Sequence, residues 1–157
     1  MNTLISPETV LRLAFAPDDC LPPDRIAAAD IAAAEARYLV PVLGAALHER
    51  LLSESDRSFV DHYLAAPLAL FTRVLIQPRL DLRAGRSGTT LPKPDDASPA
   101  PAEARRAMRS ALLTEARALL RRAVARIEAY PRSFPEYDPS RNVLNRCSLD
   151  GKLVQTR

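Results

Sequence analysis

The chain of 157 residues is the size of one ordinary domain, long enough to bury about 70% of the surface its unfolded form would expose, so neither disulfides nor metal are needed to fold it. Its net charge of +3 is spread along the chain rather than gathered into the dense basic face of a dedicated nucleic-acid binder, and all of its 22 basic residues except Lys93 and Lys152 are arginine. Cys20 and Cys147 lie far apart with neither CxxC spacing nor a nearby histidine, which speaks against a zinc site or redox pair and for a reducing, cytoplasmic setting.

Residues 1–10 lack a basic stretch followed by an apolar one, so no secretory signal is expected. The most apolar stretch, residues 64–76, is interrupted by Pro67 and Arg73 and is shorter than the roughly 20 residues of a membrane span. A soluble protein without a membrane partner is the expectation.

Ser6-Pro7-Glu8 reads as a helix start: a hydroxyl cap, a proline whose missing N–H costs nothing in the first turn, and an acid at the positive end of the dipole. A short helix to about Ala14 follows, and Pro17, Pro22 and Pro23 then enforce a loop. From Asp24 an alanine-rich run to Val40 places Ile31, Ala34 and Tyr38 at helical spacing. Pro41 is expected to break or kink it. Residues 42–52 continue as a second helical piece with Leu43, Leu47 and Leu51 in register, and Gly44 reads as a close-packing point inside that piece.

The next helix starts near Ser55 or Asp56, carries Phe59, Val60, Tyr63 and Leu64, and meets Pro67. Leu68, Phe71, Leu75 and Leu82 form another stripe with a bend at Pro78. Over residues 84–101 the pattern collapses into glycines and prolines, a flexible loop longer than compact domains usually carry. Residues 102–130 give the strongest helix: Leu112, Leu113, Ala116, Leu119, Leu120, Ala123, Val124 and Ile127 hold the helical period over four turns. Such a helix spans about 40 Å and is expected to be the central packing element. Beyond it, residues 131–139 are proline-marked and extended, and Asp150-Gly151 between Cys147-Ser148-Leu149 and Lys152-Leu153-Val154 signals a short hairpin.

The fold class expected is therefore all-α: a compact helical bundle over residues 1–130 with one long C-terminal helix, the Pro/Gly loop at 84–101, and a tail over 131–157 with a small β-hairpin-like end. The tail's Phe134, Tyr137, Val143, Leu144 and Val154 read as partner-contact anchors, because a lone hairpin is marginal in water and gains from a neighbour. Docking of the tail on its own domain is the alternative.

Constellations for chemistry are weak. The stretch from Gly85 to Thr90 lacks the Gly-Lys-Ser/Thr ending of a phosphate loop and runs into prolines. His48 and His62 are the only histidines and have no third ligand at metal spacing, so they read as surface or partly buried side chains. Asp18-Asp19 and Asp95-Asp96 sit in turns, where aspartate caps before it catalyses. Catalytic, cofactor-binding and metal residues are each expected to be none, and no cofactor is expected. Seven arginines against Glu103, Glu115 and Glu128 make the long helix basic, which reads as a solvated face before a nucleic-acid one.

Three stretches resemble a known group: Leu4-Ile5-Ser6-Pro7-Glu8, then Ala29-Asp30-Ile31 through Ala34-Glu35 to Tyr38-Leu39-Val40-Pro41-Val42-Leu43-Gly44, and Asn145-Arg146-Cys147-Ser148-Leu149-Asp150-Gly151. Together they resemble a helical family of bacterial prophage regions, and the second is similar to the helical core of phage head-tail connector, or adaptor, proteins. The resemblance implies a non-enzymatic virion-assembly subunit, a ring homo-oligomer that contacts portal or tail proteins. It would work in the host cytoplasm during assembly and end in the virion. The departures are the length of the 102–130 helix and the hairpin-like ending. A helical nucleic-acid-binding or regulatory module, using arginines of the long helix, is the alternative function.

Overall fold

Ser6 does cap the first helix: its Oγ accepts the Thr9 N–H at 3.3 Å, and α1 runs Pro7–Ala14 with Val10 and Ala14 buried. In the computed structural model the described residues are 2–19, 21–53, 56–81, 83–85, 88–90 and 100–145, and they are predominantly helical, in the all-α class. Two short 3-10 turns, Pro17–Asp19 and Pro23–Arg25, carry the proline-rich connection. The alanine-rich helix starts later than its composition suggests. Ala27 is extended (φ −84°, ψ 149°), and α2 covers only Ala28–Ala34.

The prolines do not end helices as local rules predict. After α2 the chain widens into a π-helical segment, Glu35–Leu39, and passes through Pro41 into α3, Val40–Leu43. The same device recurs: α5 (Arg57–Phe59) opens into a second π segment, Val60–Leu64, which leads through Pro67 into α6, Ala65–Asp81. A proline clashes with the carbonyl four residues back and cannot bond to it. At the two exits the N–H of Val40 bonds Glu35 and that of Ala65 bonds Val60, five residues back, so the ladder is offset just before each ring arrives. The actual break lies at Gly44, with φ +85° and ψ 152°, after which α4 runs Ala45–Leu52. Gly44 is thus not a packing point. A Cβ there would meet nothing within 4 Å, and what the position needs is positive φ.

The packing centre is α6, not the long helix. Its buried set of Pro67, Leu68, Ala69, Leu70, Phe71, Thr72, Val74 and Ile76 covers every side, and α1, α2 and α7 all pack on it. A helix apolar all round belongs in a core. Thr72 is tolerated there because its hydroxyl donates to the Leu68 carbonyl at 2.8 Å, and Phe71 stacks on Tyr38 at 4.3 Å. With α5 and the π segment it makes a continuous helical run, Arg57–Asp81, long and apolar enough by length and composition to cross a membrane. The expected interruption at Pro67 does not occur. Within this chain, 61% of the run's most apolar window is buried, as befits a core helix.

The long helix α7 covers Ala102–Ala129 and buries one stripe, Ala116, Leu120, Ala123, Val124 and Ile127. Being apolar on one side only, it is a flank of the bundle rather than its axis. Between α6 and α7, in the segment read as a loop, Arg83–Gly85 (β1) and Gly88–Thr90 (β2) pair antiparallel with Arg83 opposite Thr90. The hairpin expected around Asp150-Gly151 lies outside the described residues, as do both cysteines.

Candidate interaction surface

Up to Asn145 the segment that follows α7 turns back on its own domain. Phe134 is only 7% exposed; its ring lies 4.7 Å from that of Phe59, and the Arg50 guanidinium sits 5.4 Å away over its face. Arg50, from α4, ties the segment down further. It donates to the Ser133 carbonyl at 2.9 Å and pairs with Glu136 at 2.9 Å and Asp56 at 3.0 Å. Tyr137 donates its hydroxyl to Glu128 at 3.2 Å and accepts from Asn142 at 2.8 Å. Burial, and then the nearby carboxylates Glu128 and Asp138, push this phenol up to about 12, while the Asn142 hydrogen bond pulls the other way. Asn142 is fully buried, and its side-chain oxygen accepts the Leu144 N–H at 2.8 Å.

Of the anchors read from sequence, Phe134 is buried against this chain, Tyr137 and Leu144 are half-buried against the core, and Val143 faces solvent at 43% exposure. Val154 lies outside the described residues. Where the segment joins α7 it leaves a groove of about 440 Å³ lined by Phe59, His62, Tyr63, Arg126, Tyr130 and Phe134. Arg126 stacks on Tyr130 at 3.8 Å, and Arg122 covers Tyr63 at 5.6 Å.

Along α7 the side opposite the buried stripe is small: Ala107, Ala111, Ala118 and Ala125 are exposed. Arginines flank that ridge. The side chains of Arg106, Arg117 and Arg121 form no ion pair or hydrogen bond among the described residues.

Sequence reading missed a buried polar pair. Glu35, in the first π segment, is 2% exposed; one carboxylate oxygen accepts the Leu4 N–H at 2.7 Å and the other lies 3.1 Å from His48 Nε2. The Leu4 carbonyl in turn accepts from Arg57 at 3.1 Å, so charged side chains grip both of its backbone groups. The available signal was spacing, since Glu35 falls four residues after Ile31 and four before Leu39, both fully buried. The other histidine, His62, is exposed, and its ring Nδ1 lies 2.7 Å from the Ser58 carbonyl oxygen. Among the described residues no three metal-binding side chains converge.

Residues 33–146 match the model of a family described as "Family of unknown function (DUF6712)". Neither a curated protein nor a solved structure matches the chain.

Proposed function

The chain belongs to that family of unknown function, and we propose that it is a structural assembly subunit of phage or prophage origin, of the head-tail connector kind. It works by shape and repeated contacts with copies of itself and with portal or tail proteins, in the host cytoplasm and then in the virion. The observation that carries this reading is the joining of the first two stretches that resemble connector proteins. Leu4-Ile5 of the first is buried, and the second runs as α2, π segment and α3 up to Gly44. Glu35 of the second holds the Leu4 N–H of the first. The resembling residues therefore form one interlocked framework, and the outer face of α7, which lies away from it, is the surface this reading gives to contacts between subunits. The finer plan, a bundle with a long C-terminal helix, a central Pro/Gly connection and a hairpin-like tail, belongs to the same reading.

Negative-stain electron microscopy of the purified full chain tests it. Rings of uniform diameter are expected; a field of isolated monomers would contradict it. The basic character of α7 favours a second reading, a nucleic-acid contact. Affinity for duplex DNA that falls by orders of magnitude between about 50 and 200 mM salt would support it.

A further inference from the structure

We infer that the groove where the second π segment, the end of α7 and the segment after it meet is a docking site for a partner protein, which inserts a large apolar side chain carried beside a carboxylate. The groove is lined with rings. Phe59 stacks on Tyr63 at 5.3 Å and lies 4.7 Å from Phe134, and Tyr130 is 47% exposed. Its volume of about 440 Å³ is well above the roughly 150 Å³ that accepts benzene, so it takes a whole side chain with the backbone that carries it. The hydroxyls of Ser58 and Ser133, also in the lining, are donors for that backbone's carbonyls.

Charge sets the sign of the partner. Asp56 is the one carboxylate in the lining among the described residues, and Arg50 neutralises it at 3.0 Å. Arg126 and Arg122 are packed over Tyr130 and Tyr63, 3.8 and 5.6 Å from the ring centres. The side chains of these two arginines form no ion pair or hydrogen bond among the described residues. Two guanidiniums are thus held in place on rings with their N–H groups unused, which is complementary to a carboxylate brought by a partner.

This surface suits a protein better than a nucleic-acid strand. A strand needs a continuous track of cations and open ring faces on which to stack its bases. Here Tyr63, Tyr130 and Phe134 each already carry a guanidinium over one face. Arg50 is shared by Asp56 and Glu136, so a second carboxylate stands beside the first and would repel a polyanion. Tyrosine and arginine around a concave centre are instead the residues that anchor protein contacts. The inference stands apart from the assembly reading, which gives the outer face of α7 to copies of this chain.

NMR titration of the isotopically labelled full-length protein tests it, with the blocked peptides Asp-Glu-Leu-Phe-Gly, Lys-Lys-Leu-Phe-Gly and Asp-Glu-Gly-Ser-Gly and with oligothymidylate as probes. The first peptide should give saturable shifts at Tyr63, Tyr130 and Ser133, and the basic and anchorless peptides should bind about tenfold more weakly. R122E/R126E should lose about tenfold or more in affinity for the first peptide while its spectrum remains folded, and Y130A should also lose affinity. R117Q/R121Q, outside the groove, should lose none. Absence of saturation by the first peptide at about 5 mM, equal binding of acidic and basic peptides, or binding by R122E/R126E equal to the parent's would overturn the inference. Tighter binding of oligothymidylate would make the groove a nucleic-acid site, and shifts at the same residues on raising the protein concentration alone would give it to a second copy; either result overturns it too.

Discussion

Replacing Glu35 with alanine should destabilise the protein far more than replacing it with glutamine. The carboxylate is 2% exposed and is the acceptor for the Leu4 N–H at 2.7 Å, so alanine leaves a buried backbone donor unpaired. Hydrogen bonds to charged groups contribute about 1.5 to 3 kcal/mol, and the unsatisfied donor costs about 1 to 3 kcal/mol by the same reckoning. Losing the partner of His48, which is half-buried at 3.1 Å, adds to this, and release of a desolvated carboxylate offsets part of it. The net expectation for Glu35→Ala is about 2 to 4 kcal/mol, or roughly 5 to 15 °C in Tm for a chain of this size. Glutamine keeps a carbonyl oxygen for Leu4 and can present its amide to His48 as a donor, so Glu35→Gln should cost about half as much or less. Urea unfolding gives the energies, and hydrogen exchange at the Leu4 amide reports the local bond. An alanine variant within about 0.5 kcal/mol of the parent, or alanine and glutamine variants of equal stability with Leu4 equally protected, would refute the role given to this pair.

Phe134→Ala should cost about 3 kcal/mol, near the lower end for a buried phenylalanine because the ring caps the core edge beside Phe59; urea midpoints measure it, and proteolysis after Tyr130 should become faster. Gly44→Ala should cost about 1 to 2 kcal/mol although there is room for the methyl, because the penalty lies in φ +85°; calorimetry showing no loss would remove the helix stop assigned to this glycine. Acid should weaken the α2 to α6 contact through Asp30. Burial raises its pKa, but the hydrogen bonds from Arg79 and the Ala27 N–H, together with the Arg79 charge, lower it further, to a net value below the usual carboxylate range. A depressed folded pKa gives stability that is present above the unfolded pKa of about 3.9 and lost as pH falls through the folded value. Urea midpoints taken from pH 5 downward should therefore fall less steeply for Asp30→Asn than for the parent chain.

The local signals were the readable ones. Ser6-Pro7 needs only its own turn to form a cap, and the stripe from Leu112 to Ile127 needs only one periodic face, so both could be read from neighbours in sequence. Pro41 and Pro67 do not end their helices, because two π segments offset the ladder before them, and Arg109, thirty-one residues away from Pro78, donates to the Val74 carbonyl that this third proline leaves without its helical donor. The centrality of α6 was hidden for a related reason: its apolar residues surround the axis and give no single face for a periodicity to mark. Glu35 and His48 lie on two elements separated by the break at Gly44, and nothing in either's neighbourhood announces the other. The groove exists only once α7 and the second π segment are side by side.

The most direct test of the assembly reading is native mass spectrometry of the full-length chain over a concentration series spanning about 1 to 100 μM, the range in which specific subunit contacts of ordinary affinity saturate. The account predicts a single closed oligomer of fixed copy number that persists on dilution until it dissociates to monomer, with no open-ended ladder of masses. A monomer at every concentration, or a ladder that keeps lengthening, would contradict it.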